Sequence, residues 1–220
     1  MARPTLDPIE VRVAGALVEK ALATPDHYPL SLNALVAACN QKSARDPVMT
    51  LGEREVSAAL ERLSRRGLAG TTSGSGHRVA KFRHLLDRGL DLSRRELAAL
   101  AVLMLRGPQT PGEIKGRTGR MADFESVEDA EEALWLLSDR DEPLVATLPR
   151  APGQSAERYA HRLSGEVVSE TGDEGAETAP ESSPATAASA PSSLLDRVDA
   201  LEAEVARLRA ELDAFRTQFE

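Results

Sequence analysis

The sequence predicts a mainly α protein with small β wings: two tandem winged helix-turn-helix domains, a disordered acidic linker and a C-terminal coiled-coil helix. Three observations carry this expectation. Residues 7–163 show helical periodicity broken by turns, and an order of three helices and a β-hairpin occurs twice. Residues 165–193 are low in complexity, rich in Gly, Ala, Ser, Thr, Pro and Glu. Residues 194–219 hold apolar residues at alternating spacings of four and three. The expected boundaries are 1–88 and 89–164 for the two domains, 165–193 for the linker and 194–220 for the helix.

In the first domain Asp7 can cap a helix, Pro8 suits its first position and Glu10 completes a capping box. That helix runs to about Ala21 and should bury Ile9, Val13, Ala14 and Leu17. Thr24-Pro25 ends it. Ser31 caps a second helix whose Leu32, Leu35, Val36 and Cys39 form one apolar stripe. A polar loop, Asn40 to Thr50, leads to a third helix over about Gly52–Arg66, with Val56, Ala59, Leu60 and Leu63 inward and Gly67 as its stop. Leu68–Thr72, a Gly74-Ser75-Gly76 turn and Val79–Leu85 read as a hairpin.

The second domain repeats the order. Ser93 and Glu96 form a capping box ahead of Leu97, Leu100, Ala101, Met104 and Leu105, and Thr110-Pro111 echoes Thr24-Pro25. A short helix over Gly112–Gly119 and a longer one over Ser126–Asp139 follow, then strands at Leu144–Leu148 and Arg158–Leu163. The string Leu137-Ser138-Asp139-Arg140 echoes Leu63-Ser64-Arg65-Arg66.

Composition narrows the function classes. Cys39 is the one cysteine of 220 residues, so no internal disulfide can form and a reducing compartment is expected. No apolar run reaches the ~20 residues of a membrane span, and no apolar export signal follows Met1-Ala2-Arg3-Pro4, so a cytoplasmic protein is expected. There is no phosphate loop, dinucleotide fingerprint, nucleophile elbow or metal-ligand spacing, and His27, His77, His84 and His161 are scattered. Catalysis, a bound metal and a cofactor are therefore not expected.

The net charge of −8 is a property of the tail. Residues 165–193 carry six acids and no Lys or Arg, the last 27 residues carry seven acids and four arginines, and residues 1–164 stand at +1. The stretch from Arg54 to His84 stands at +5, on the two elements that a winged helix presents to DNA. Arg54, Ser57, Ala58, Glu61 and Arg65 lie opposite the core stripe of the third helix. The candidate nucleic-acid contacts are Lys42, Arg45, Arg54, Ser57, Arg62, Arg65, Arg66, Arg78, Lys81 and Arg83, since arginine pairs with guanine and serine reaches phosphate. Glu61 on the same face opposes them. The equivalent helix of the second domain shows Glu128, Glu132 and Asp139, which repel phosphate, so Trp135 and Leu136 beside them are expected to pack on the first domain or a protein, or in the core.

The tail should dimerise. With Val198 at heptad position a, the seam is Val198, Leu201, Val205, Leu208, Leu212 and Phe215. Val at a and Leu at d favours two strands. In a parallel pair the flanking contacts are Arg197–Glu202, Glu204–Arg209 and Glu211–Arg216, all attractive. The bland alternative is an amphipathic helix docked on the folded part.

Several strings resemble the YceH-like family of uncharacterised bacterial proteins: Tyr28 to Leu35, Ala38 to Ser43, Asp46 to Met49, Leu105 to Glu113 and Arg158 to His161. The resemblance spans nearly the whole chain. It implies a tandem winged-helix fold and no particular activity. The residues point to a DNA-binding regulator or nucleoid-associated factor, dimeric through its tail. A protein-interaction adaptor using winged helices as scaffolds is the alternative.

Overall fold

The computed structural model describes residues 4–72, 79–150 and 156–165. Arg78, nearly all of the expected linker and the whole heptad helix lie outside these residues. The described residues all belong to one compact unit.

The first half starts with α1, Pro8–Ala23, two residues longer than expected. Its capping box is formed: Asp7 N–H donates to Glu10 Oε2 at 2.8 Å and Glu10 N–H to Asp7 Oδ1 at 2.8 Å. A short 3-10 turn, Pro25–His27, leads into β1, Leu30–Ser31, and then α2, Leu32–Cys39, with Ser31 as its cap. After a loop comes α3, Glu53–Arg65. It closes with Gly67 at φ +71, Gly67 N–H donating to Ser64 O and Leu68 N–H to Leu63 O. A left-handed residue there satisfies two orphan carbonyls, and glycine adopts it without strain. The hairpin is β2, Ala69–Thr72, and β3, Lys81–His84, with Ala69 opposite His84 and Thr72 opposite Lys81. β1 adds to the far side of β3, giving the order β1-β3-β2. Two residues carry too little periodicity to be recognised as a strand, so β1 was not foreseen.

A single turn, α4 (Leu86–Gly89), joins the halves. The second half runs α5 Arg94–Arg106, α6 Pro111–Thr118, α7 Val127–Ser138, then β4 Val145–Leu148 and β5 Arg158–His161. The place of β1 is taken by Gln109, which bridges Tyr159 through both backbone groups. The described residues are thus mainly helical with two small antiparallel sheets, each half running helix, helix, helix, hairpin.

The two halves share one hydrophobic core. Periodicity assigns α1 one buried face, yet every residue from Glu10 to Val18 is buried, and so is every residue of α5 from Glu96 to Leu105. The reason is that these two first helices lie against each other, with α1 also carrying α2 and α3 and α5 also carrying α6 and α7. A helix covered on all sides is apolar on all sides. Ile9, expected inside, is only half-buried because it sits before this doubly covered stretch.

The sequence echo between the halves has a structural cause. Glu10, the capping-box glutamate of α1, accepts from Arg62 Nε at 3.0 Å and Arg66 Nη1 at 3.1 Å, both from the end of α3. Glu96, its counterpart on α5, accepts from Arg140 Nη2 at 2.6 Å, just past the end of α7. Each half therefore clamps the end of its third helix to the start of its first by an arginine on a buried carboxylate.

Candidate nucleic-acid interface

The basic face expected on α3 and the hairpin is present but smaller than its ten residues. Arg54 and Arg65 are exposed on α3, Ser57 lies half-buried between them, and Glu61 and Glu53 are exposed with them. Lys42 is exposed in the loop before α3, and Lys81 and Arg83 project from the same side of β3 by its two-residue period. Among the described residues none of Lys42, Arg54, Arg65, Lys81 or Arg83 has a carboxylate within salt-bridge distance. Opposite them, Phe82 packs against the core and His84 N–H donates to the Tyr28 hydroxyl, which pins the end of β3. Burial, more than the neighbouring Asp87 offsets, holds the His84 imidazole below its ordinary pKa, so it adds no charge to this face at neutral pH.

Three arginines leave the set. Arg45 was expected to meet phosphate, but its side chain is 0% exposed. It binds Glu19 at 2.6 and 3.1 Å and donates to the carbonyls of Ala38 and Ala44. It caps the Ala38 carbonyl at the C-terminal end of α2, where a cation also meets the negative end of the helix dipole. Arg62 is held by Asp7 at 2.6 Å and Glu10 at 3.0 Å, and Arg66 by Glu10 and the Thr5 carbonyl. Their charge is neutralised within the fold. Helical spacing places them near the basic face; it does not show that α1 supplies carboxylates there.

One functional-looking residue escaped notice altogether. Arg12 is buried in the middle of α1, donating to Cys39 O and Pro47 O. Burial, and then the charge of Arg45, lower its pKa. A cation inside the run Val11 to Val18 was the available signal, since an all-apolar helix tolerates one only where backbone carbonyls receive it. Arg12 and Arg45 together fix the loop that precedes α3. Cys39 is fully buried beside them, its thiol pushed up to about 12 by burial, and so is chemically quiet.

The corresponding surface of the second half is different in kind. Trp135 is 57% and Leu136 41% exposed, among exposed Glu128, Glu131, Glu132 and Asp139. Neither apolar residue packs on the first half or in the core, because the α7 residues that turn inward are Ala130, Ala133, Leu134 and Leu137. His161, on β5, is kept neutral by burial, which lowers its pKa to about 4. Among the described residues no group of three His, Cys, Asp or Glu is placed to hold a metal ion, and no helix is long and apolar enough to cross a membrane.

Fold and surface define a mainly helical protein of two like halves on one core, basic on the helix-and-hairpin face of the first and acidic and apolar on the third helix of the second. The family model described as "Protein of unknown function, DUF480" matches residues 6–154, and the chain belongs to that family. It is 52% identical over 158 residues to the UPF0502 protein Acid345_3645 of Koribacter versatilis, covering 72% of this chain and 73% of that protein. It is 51% identical over 170 residues to the UPF0502 protein azo0627 of Azoarcus, covering 77% and 75%. A UPF0502 protein of Citrifermentans bemidjiense is 54% identical over 162 residues, covering 74% and 75%.

Proposed function

We propose that each half is a winged helix-turn-helix unit and that the protein is a non-catalytic, double-stranded DNA-binding regulator or nucleoid-associated factor. α3 is its recognition helix, β2–β3 its wing, and the C-terminal heptad helix its parallel dimerisation element. The observation that carries the reading is the set of unpaired cations, Lys42, Arg54, Arg65, Lys81 and Arg83, on the two elements this domain type offers to the groove and backbone. Glu53 and Glu61 on the same helix favour backbone contact over deep base reading, because a carboxylate in the groove faces acceptor atoms and phosphate.

About four phosphate contacts per subunit give a log–log salt slope of roughly −3 to −4 per subunit. The full chain should shift random duplex DNA with such a dependence. Arg54→Glu with Arg65→Glu should lower affinity at least about tenfold for all sequences and flatten the slope by about two. Leu201→Lys with Leu208→Lys should make the chain monomeric in light scattering and weaken DNA binding further through lost avidity. A wild-type chain with no salt-dependent DNA binding, or an unchanged affinity in the Arg54/Arg65 double variant, rules the reading out; a wild-type monomer at tens of micromolar rules out the dimer alone.

The exposed face of α7 favours a second reading, in which the protein is an adaptor. Trp135 and Leu136 ringed by Glu128, Glu131, Glu132 and Asp139 complement a basic amphipathic helix of another protein. Trp135 is the one tryptophan, so the face reports on itself. A synthetic basic amphipathic helix should shift the emission to the blue, and Glu128→Lys with Glu132→Lys should abolish the shift. Binding without any change in emission would place the contact elsewhere.

A further inference from the structure

A recess of about 250 Å³ opens between the loop before α3, the end of α5, α6 and β5. Its walls include Arg45, Arg106, Gln109, Glu113, Arg117 and Arg158, with exposed Asp46 at the same opening. Four guanidinium groups thus meet two carboxylates, and Glu19 outside the recess neutralises Arg45, which leaves about one positive charge over. The other arginines are unequally engaged. Arg117 reaches Glu113 at 3.1 Å, and Arg158 reaches the same carboxylate at 3.8 Å and the Pro108 carbonyl at 2.6 Å. Arg106 has no carboxylate within salt-bridge distance among the described residues. Burial and then the charge of Arg117 lower its pKa, the response of a half-buried cation crowded by another.

Two further polar atoms are enclosed in the wall. Gln109 is 2% exposed; its amide nitrogen donates to the Arg106 and Pro108 carbonyls, which fixes the orientation of the amide, and its Oε1 has no donor. Arg158 Nε is buried without an acceptor. Both atoms are closed to solvent and belong to the wall, so the cationic group the recess offers is Arg106.

We propose that this recess binds a small oxyanion, a phosphate or a carboxylate, with Arg106 and Arg158 taking the negative oxygens. Asp46 and Glu113 restrict it to a low charge. The ligand would bridge the halves, since Asp46 N–H already donates to Leu105 O at 2.8 Å across the same seam. The site is separate from the proposed DNA face, and its test does not involve DNA.

Calorimetric titration of the full chain with inorganic phosphate and with lactate, at matched ionic strength, distinguishes the two ligand sources. At least one should bind saturably, with a dissociation constant in the millimolar range or below. Arg106→Gln should weaken that binding at least tenfold while leaving the thermal midpoint unchanged, because Arg106 holds no ion pair. If that variant fails to fold, Arg117→Gln, which frees Glu113 to compete for the remaining arginines, should show the same loss. The proposal is overturned by the absence of saturable binding of both probes, or by variants that bind as the wild type does.

Discussion

Replacing Arg45 with Met should remove about 3–5 kcal/mol of stability, because it deletes one partner of a buried ion pair and leaves the other desolvated. Glu19 would lose both guanidinium contacts, at 2.6 and 3.1 Å, and the Ala38 carbonyl two donors. Burial pushes the Glu19 carboxyl up, but hydrogen bonding and charge from Arg45 more than reverse this, so it sits below the ordinary carboxylate range. A depressed carboxylate stabilises the fold above its unfolded pKa, and that contribution disappears as pH falls through the folded value. The difference between wild type and Arg45→Met should therefore shrink in acid. Arg45→Lys should restore only part of the loss, since a single ammonium nitrogen cannot reproduce the two-nitrogen contact to Glu19 together with two bonds to the Ala38 carbonyl. Chemical denaturation checks all three, with exposed Arg54→Met as a control expected within about 0.5 kcal/mol of wild type. A difference below about 1 kcal/mol for Arg45→Met would show that the loop before α3 is held by something else.

Gly15→Leu should cost about 3 kcal/mol or more by overpacking the contact between α1 and α5. A Cβ at Gly15 would already stand 3.0 Å from Leu105 Cδ2 and Cγ and 3.2 Å from Met104 Cβ, and leucine adds three carbons beyond it. Both helices are buried along this stretch, so no side chain can swing into water to make room. Gly15→Ala should be close to neutral: a gain of up to about 1 kcal/mol in helix propensity meets a shift of a few tenths of an ångström at Leu105. Denaturation midpoints of the two variants test the contact. A leucine variant as stable as wild type would mean that the two halves do not close on each other here.

Most of the secondary structure was legible because its signals are local. Asp7-Pro8 with Glu10 and Ser93 with Glu96 start α1 and α5 where expected, α6 starts at Pro111, one residue before the expected Gly112, and Gly67 ends α3. The core stripe of α3 turns inward as read, since Val56, Ala59, Leu60 and Leu63 are all buried. The repeat of element order was legible for the same reason. β1 and α4 were not, as two and four residues carry no period.

The candidate site was legible in outline and not in membership. Periodicity places Arg54 and Arg65 outward on α3 and cannot tell them from Arg62 and Arg66, which sit within one turn of Arg65. The carboxylates that remove Arg62 and Arg66 from the basic face come from Asp7 and Glu10, more than fifty residues away in sequence. Arg45 fell on the wrong side of the same divide, since its carboxylate partner Glu19 is brought to it only by the packing of α1 on α2. On α7 the spacing marked Trp135 and Leu136 as flanking the acidic face, while their exposure depended on what the rest of the fold leaves uncovered.

The amino-acid sequence by itself determined where helices begin and end, which stripe of each is apolar, and that the pattern occurs twice, because caps, turns and periods act over a few residues. Tertiary structure alone decided that α1 and α5 are covered all round, that Arg12, Arg45, Arg62 and Arg66 serve the fold, and that Arg106, Gln109 and Arg158 meet at one recess. A charge's role depends on the groups that surround it in space, and those are supplied by distant segments whose approach no local pattern encodes.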